Sequence, residues 1–213
     1  MPTSRRPLLS LLLVLAVAAC DTPLPIASFA GTAPALRPEQ WFAGTTRSWG
    51  VFEDGDGAPV TGRFTTAATG TVQPDGSLML AQTIHLADGT TQRRTWHLTR
   101  LDAHRYAATA GPVVGTAYGE AYGRAFHWTY SLRLPPGDWL HTVRFEHWMY
   151  LSDDGTTLLN RFTVSKLGLV VARASETFVH VAGTAVAEPP PPAASSPSAA
   201  PSPSAAPSPS AAH

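Results

Sequence analysis

From residue 44 to residue 182 apolar and polar side chains alternate in short runs, separated by clusters of Asp, Gly and Pro. Alternation with period two marks strands half-buried on one face, because successive side chains of an extended chain point to opposite sides. Turn signals fall at Asp54-Gly55-Asp56-Gly57, Asp75-Gly76, Asp88-Gly89, Pro135-Pro136-Gly137-Asp138 and Asp153-Asp154-Gly155. Asp-Gly between alternating runs is a strong hairpin signal, since Gly accepts positive φ without penalty. The pattern predicts ten strands, at 46–53, 60–67, 77–86, 92–101, 105–110, 113–118, 125–134, 140–152, 158–165 and 169–182. Ten short strands joined mostly by tight turns predict an all-β, antiparallel up-and-down barrel or sandwich. One short helix is expected before them, opened by Pro38 and stopped by Gly44. Gly115, Gly119 and Gly123 recur every four residues among strand-like flanks, and they predict bends that let a sheet curl.

The densest chemistry lies in the seventh and eighth runs, which read as one hairpin: Phe126, His127, Trp128 and Tyr130 on one side, Phe145, Glu146, His147, Trp148 and Met149 on the other. Register decides which of these share a face. A four-residue loop, Pro135 to Asp138, pairs Leu134 with Trp139 and so sets Trp128 opposite Phe145, Tyr130 opposite Val143 and Phe126 opposite His147. One face then carries Phe126, Trp128, Tyr130, Phe145, His147 and Met149, the candidate ligand-binding wall. The other pairs His127 with Glu146 and Thr129 with Arg144, a cross-strand polar group. Trp148 falls opposite Ala125 and Tyr150 opposite Gly123, which predicts an outer surface covered by another segment such as Trp41 and Phe42.

The two ends of the chain follow different rules. Arg5-Arg6, the apolar run from Leu8 to Val17 and the small pair Ala18-Ala19 have the three parts of a secretory leader, and the run is too short to span a bilayer. Residues 20–37 read as a tether rich in Ala, Pro, Thr and Gly, and residues 38–186 as one barrel domain. Residues 187–213 are nearly all Pro, Ala and Ser, a composition with too little apolar surface to offset ordering entropy, so a disordered tail is expected.

Charge narrows the partners. Basic and acidic residues number 15 each, and loss of Arg5 and Arg6 with the leader leaves 13 basic against 15 acidic. Lys166 is the only lysine, and no basic run interleaved with aromatics occurs, so nucleic acid is not an expected partner. The chain has no Gly-x-Ser-x-Gly, His-Glu-x-x-His or phosphate-cradling glycine loop. Glu53 to Gly57 lacks the downstream glutamate of a calcium loop and reads as a turn. No catalytic residue, metal site or cofactor is therefore assigned.

Val17-Ala18-Ala19-Cys20 resembles the lipobox of bacterial lipoproteins, with the chain's only cysteine at its end. The resemblance implies that Cys20 is acylated after export and becomes the first residue of a lipid-anchored protein. Two or more acyl chains anchor stably where one does not, at about 0.8 kcal/mol per buried methylene. Asp21 in such proteins favours the inner membrane, with the outer membrane as the alternative. A second resemblance covers most of 41–179. Phe42-x-Gly44, Trp49-Gly50-x-Phe52, Asp88-Gly89, Arg94-x-Trp96, Val114-Gly115-x-Ala117-x-Gly119, Gly123-x-Ala125-x-x-Trp128-x-Tyr130, Trp148-Met149-Tyr150-Leu151, Asn160-Arg161 and Lys166-x-Gly168 are together similar to an uncharacterised family of bacterial lipoproteins, a domain of unknown function. That family commonly has acidic residues directly before Trp-Met, where this chain has Glu146-His147. The short helix before the first strand, with Trp49 in it, looks like the lipocalin-type barrels and implies a lipocalin-like barrel of about ten strands.

Three functional readings follow. The first is an envelope lipoprotein, facing the periplasm, that holds a lipid or other apolar small molecule inside its barrel. The second is an envelope scaffold that engages other proteins without a small ligand. The third is an enzyme using His147, or His127 with Glu146, as an acid or base.

Overall fold

A computed structural model describes residues 24–134 and 141–181. The strands are β1 (Gly44–Asp54), β2 (Pro59–Val72), β3 (Leu78–Leu86), β4 (Thr91–Arg100), β5 (Arg105–Thr109), β6 (Val113–Tyr122), β7 (Ala125–Arg133), β8 (Thr142–Leu151), β9 (Thr157–Lys166) and β10 (Leu169–His180). Each pairs antiparallel with its sequence neighbours, and β1 also pairs with β10, so the sheet closes into a ten-stranded barrel without edges. The expected up-and-down barrel is therefore the fold.

The turns form as the Asp residues dictate. Asp75 accepts the Ser77 backbone N–H, Asp88 that of Thr90 and Asp154 that of Thr156, each carboxylate closing its turn two residues on. Asp54 likewise accepts from the backbone of Asp56 and Ala58, which makes residues 54–58 a turn held by one carboxylate. The glycine series works by three different means. Gly115 has φ 72° where the β6–β7 register shifts between Val114 and Tyr118, a bulge that bends the strand. Gly119 gives room to the Phe126 ring and the Trp128 Cβ, which a methyl group would meet at 2.8 and 2.6 Å. Gly123 lies in the β6–β7 turn against the backbone of Phe29.

One end of the barrel is closed. Helix α1 (Pro38–Trp41) is as expected short, and it delivers Trp41 and Phe42 to that end. Phe42 meets Phe178 edge-on at 5.5 Å, Trp41 packs on His180 at 4.7 Å, and Trp41 Nε1–H donates to the Gly155 carbonyl at 3.1 Å. Trp41 and Phe42 thus stopper the barrel rather than cover Trp148 and Tyr150. The ring that meets Tyr150 is Phe29, at 5.7 Å, from a single 3-10 turn over Ile26–Phe29. Residues 25–37, which composition assigns to the tether, are docked on the same end: Leu36 N–H donates to the Gly123 carbonyl, and Arg124 is bonded to Ala33 and Thr32 and ion-paired with Asp153.

Candidate functional site

The β7–β8 hairpin has the predicted faces but not the predicted partners. Trp128 lies opposite His147, Tyr130 opposite Phe145, Phe126 opposite Met149 and Thr129 opposite Glu146, two residues away from the expected register. The cause is the connection. The backbone N–H of Leu134 donates to the carbonyl of His141, so six residues rather than four separate the closing pair. The connection itself, 135–140, lies outside the described residues. A slip of two preserves facing, because the side-chain period is two.

All six residues of the proposed wall therefore point into the barrel, where they line one cavity of about 200 Å³. Inward residues of the other strands complete it, among them Trp96, Phe162, Phe64 and Phe52. Exposure runs along the barrel axis. Leu78, Leu98, Phe178 and Met149 near the stoppered end are buried, whereas Ile84, Leu86, Leu134, Phe52 and Phe145 are half-buried and Gln92 is exposed. The mouth is at the end opposite α1, where the β3–β4, β1–β2 and β9–β10 turns lie. Rings crowd the wall: Trp96 and Trp128 are 4.7 Å apart, Tyr130 stacks on Phe145 at 5.1 Å, and His147 stacks on Phe162 at 4.7 Å.

A buried polar chain crosses this apolar interior. Ser48 Oγ–H donates to Glu176 Oε1 at 2.5 Å and Asn160 Nδ2–H to Glu176 Oε2 at 2.9 Å, with Thr66 Oγ1 3.4 Å away. Asn160 thus presents its Oδ1 to His147 Nδ1, 3.2 Å distant, which must be the protonated nitrogen. His147 Nε2 is left as an acceptor, and the Tyr130 hydroxyl donates to it at 3.1 Å. Burial drives the electrostatics. It pushes His147 down to about 3, against the bond from Asn160 and with help from the Arg94 and His127 charges. It pushes Tyr130 up to about 12, against the nearby Arg94 guanidinium. It raises Glu176, against the donors Ser48, Asn160 and Thr66 and the charge of Arg94. A neutral histidine with both nitrogens engaged is a weak base and offers no lone pair to a metal.

His127 lies on the outer face, packed at a tilt against Trp148 at 4.3 Å, with Nε2 2.9 Å from Glu146 Oε1 along the diagonal. His147 and Glu146 face opposite sides of the wall, so no single cluster of His127, Glu146 and His147 exists. Sequence reasoning missed Ser48, Thr66, Asn160, Glu176 and Arg94. Glu176 stands two residues from Ala174 and Phe178, both inward, and that alternation was the available signal for its direction. Trp128 Nε1 is buried with no partner among the described residues, an omission that costs about 1–3 kcal/mol.

Solved structures share this architecture. A protein of unknown function from the DUF3598 family of Nostoc punctiforme aligns at 15% identity with a TM-score of 0.51, over 75% of this chain and 53% of its own, so the chain spans about half its length. The S-type phycobiliprotein lyase CPES of Guillardia theta aligns at 7% identity and TM-score 0.52, over 68% of this chain and 92% of its own. Rv2717c of M. tuberculosis aligns at 14% identity and TM-score 0.52, over 71% and 99%. At such identities the likeness is one of fold. No curated protein matches the sequence. The family model of a protein of unknown function, DUF3833, matches residues 14–180, most of the chain, and the protein belongs to that family.

Proposed function

We propose that the protein is a lipid-anchored envelope carrier that binds a lipid or another apolar small molecule in its barrel. The observation that supports this best is the cavity: an interior walled by aromatic and aliphatic side chains, stoppered by Phe42 at one end and increasingly exposed toward the other. A barrel that only needed to be stable would close over such rings at both ends, since each buried ring contributes about 1.5–3 kcal/mol. The polar groups of the lining, few beside the aromatic and aliphatic ones, also suit a ligand site. Cys20 is the anchor in this reading. Pro25 is five residue steps along the chain from it, a reach of at most about 18 Å. The docked segment lies at the stoppered end, so the mouth faces away from the anchoring membrane.

Native mass spectrometry of gently extracted protein is expected to find a co-purifying small molecule, or a complex with an added apolar probe. A protein that carries nothing and takes up no probe removes the carrier reading. Cys20→Ala is expected to release the chain from the membrane fraction; unchanged association removes the anchor alone.

A scaffold role without small ligand has one specific support. Trp49, Leu159 and Tyr150 lie in one row across β1, β10, β9 and β8 on the outer face, with Trp49 and Leu159 about half exposed. Crosslinking in cells that captures one protein reproducibly through this row, in the absence of a bound small molecule, would favour it.

A further inference from the structure

Among the described residues the cavity is lined by one arginine, Arg94, and no carboxylate forms an ion pair with it. Glu176, Asn160, His147, Thr66 and Ser48 satisfy one another, and Gln82 Oε1 accepts the Trp96 indole N–H at 2.9 Å. Arg94 stands outside this set. It lines the cavity from β4, one inward position deeper than exposed Gln92 and one shallower than buried Trp96. Its guanidinium stands near the Tyr130 hydroxyl, acts through its charge on the Glu176 carboxyl, and forms no ion pair among the described residues. A guanidinium has five N–H donors in a planar fork, so most remain for an incoming acceptor. A half-buried charge beside an aromatic wall is costly unless it is paired.

We propose that the occupant of the barrel is an amphiphile bearing one singly charged oxyanion, a carboxylate first of all, which pairs with Arg94. The proposal rests on the carrier reading and assigns the ligand's chemistry. The head group lies at the level of Arg94 and Tyr130, and the apolar body lies against Trp96, Trp128, Phe145 and Phe162. A carboxylate matches the guanidinium fork with two parallel hydrogen bonds. Charge limits the head to one unit. A dianion, such as a fully ionised phosphate monoester, would set its second charge in the same cavity as Glu176, where no second cation lines the wall among the described residues. An alkylammonium would meet Arg94 before it reached Glu176, which is sequestered behind Ser48, Thr66 and Asn160.

The test uses four probes of equal chain length, decanoate, methyl decanoate, decylamine and decyl phosphate, titrated into the full chain with intrinsic tryptophan fluorescence as the readout. The wild type is expected to bind decanoate about tenfold or more tighter than the methyl ester, with the phosphate weaker than decanoate and the amine weakest. Arg94→Gln is expected to bring acid and ester within about twofold of each other while leaving ester affinity unchanged, and Arg94→Lys to keep part of the preference. Retained ester binding in these variants reports an intact barrel, and the wild-type ranking stands as a measurement independent of them. Equal binding of acid and ester by the wild type, tightest binding of the phosphate or amine, or an undiminished preference in Arg94→Gln overturns the proposal and leaves the carrier reading in place. Binding of none of the four removes the carrier reading, and this proposal with it.

Discussion

His127 and His147 belong to the same hairpin and lie on opposite faces of one sheet. His147, turned inward, is buried among Tyr130, Phe145 and Phe162 with both ring nitrogens bonded. His127, turned outward, rests on Trp148 and reaches a half-exposed glutamate. Residue type is the same in both cases, and the facing alone decides whether the imidazole belongs to a sequestered polar chain or to a surface pair. A substitution on the inner face disturbs packing and desolvated hydrogen bonds, whereas one on the outer face disturbs contacts already screened by water.

The largest contrast concerns packing. Phe126 is 2% exposed and meets Tyr106 edge-on at 5.5 Å, while its strand neighbour Thr129 faces the outside opposite Glu146. Phe126→Ala is expected to cost about 3–5 kcal/mol in chemical denaturation. Thr129→Ala is expected to stay within about 0.5 kcal/mol. Similar losses for the two would mean that the faces are not distinct, and with them the cavity wall.

That contrast was legible in the sequence because alternation fixes facing, and facing survives a slip of two residues. Strand partners did not follow, because they depend on the length of the β7–β8 connection, and Pro135-Pro136-Gly137-Asp138 is as compatible with a longer loop as with a tight one. The barrel itself was legible from the Asp-Gly turns, each of which closes through its own carboxylate. The polar chain was not. Ser48, Thr66, Asn160 and Glu176 come from β1, β2, β9 and β10, and nothing local in four separate strands says that their inward side chains meet. Arg94 stands beside Trp96 in the motif shared with the family, yet only closure of the barrel brings it to Tyr130. Long-range pairing assembles the site, and a sequence read strand by strand contains the parts without their assembly.

A second contrast is acid sensitivity. His147 is held at about 3 when folded against 6.5 when free, so between these values the unfolded chain binds a proton that the folded chain refuses. Its contribution to stability is complete above pH 6.5 and is lost as pH falls through that window, at up to about 1.4 kcal/mol per pH unit. Glu176 has the opposite sign. Its raised carboxyl contributes below the ordinary glutamate range and loses that contribution as pH rises through its folded value. His147→Gln is therefore expected to flatten the fall in stability between pH 6 and 4, measured by denaturant midpoints. A slope in His147→Gln as steep as that of the wild type would mean that the inner histidine is not shielded from protons by its burial.

The smallest effect tests the outer face by itself. His127 and Glu146 are bonded at 2.9 Å with side chains 25% and 45% exposed, so each partner already has water as an alternative. A double-mutant cycle over His127→Gln and Glu146→Gln is expected to give a coupling of about 0.2–1 kcal/mol, falling further with added salt. Part of the loss on replacing His127 alone belongs to its packing against Trp148 at 4.3 Å, and the cycle removes that part because it is common to both backgrounds. A coupling of 2 kcal/mol or more, unmoved by salt, would indicate a desolvated pair. The outer side of this hairpin would then be covered by something, and the row of Trp49, Leu159 and Tyr150 beside it would be the first place to look for the partner.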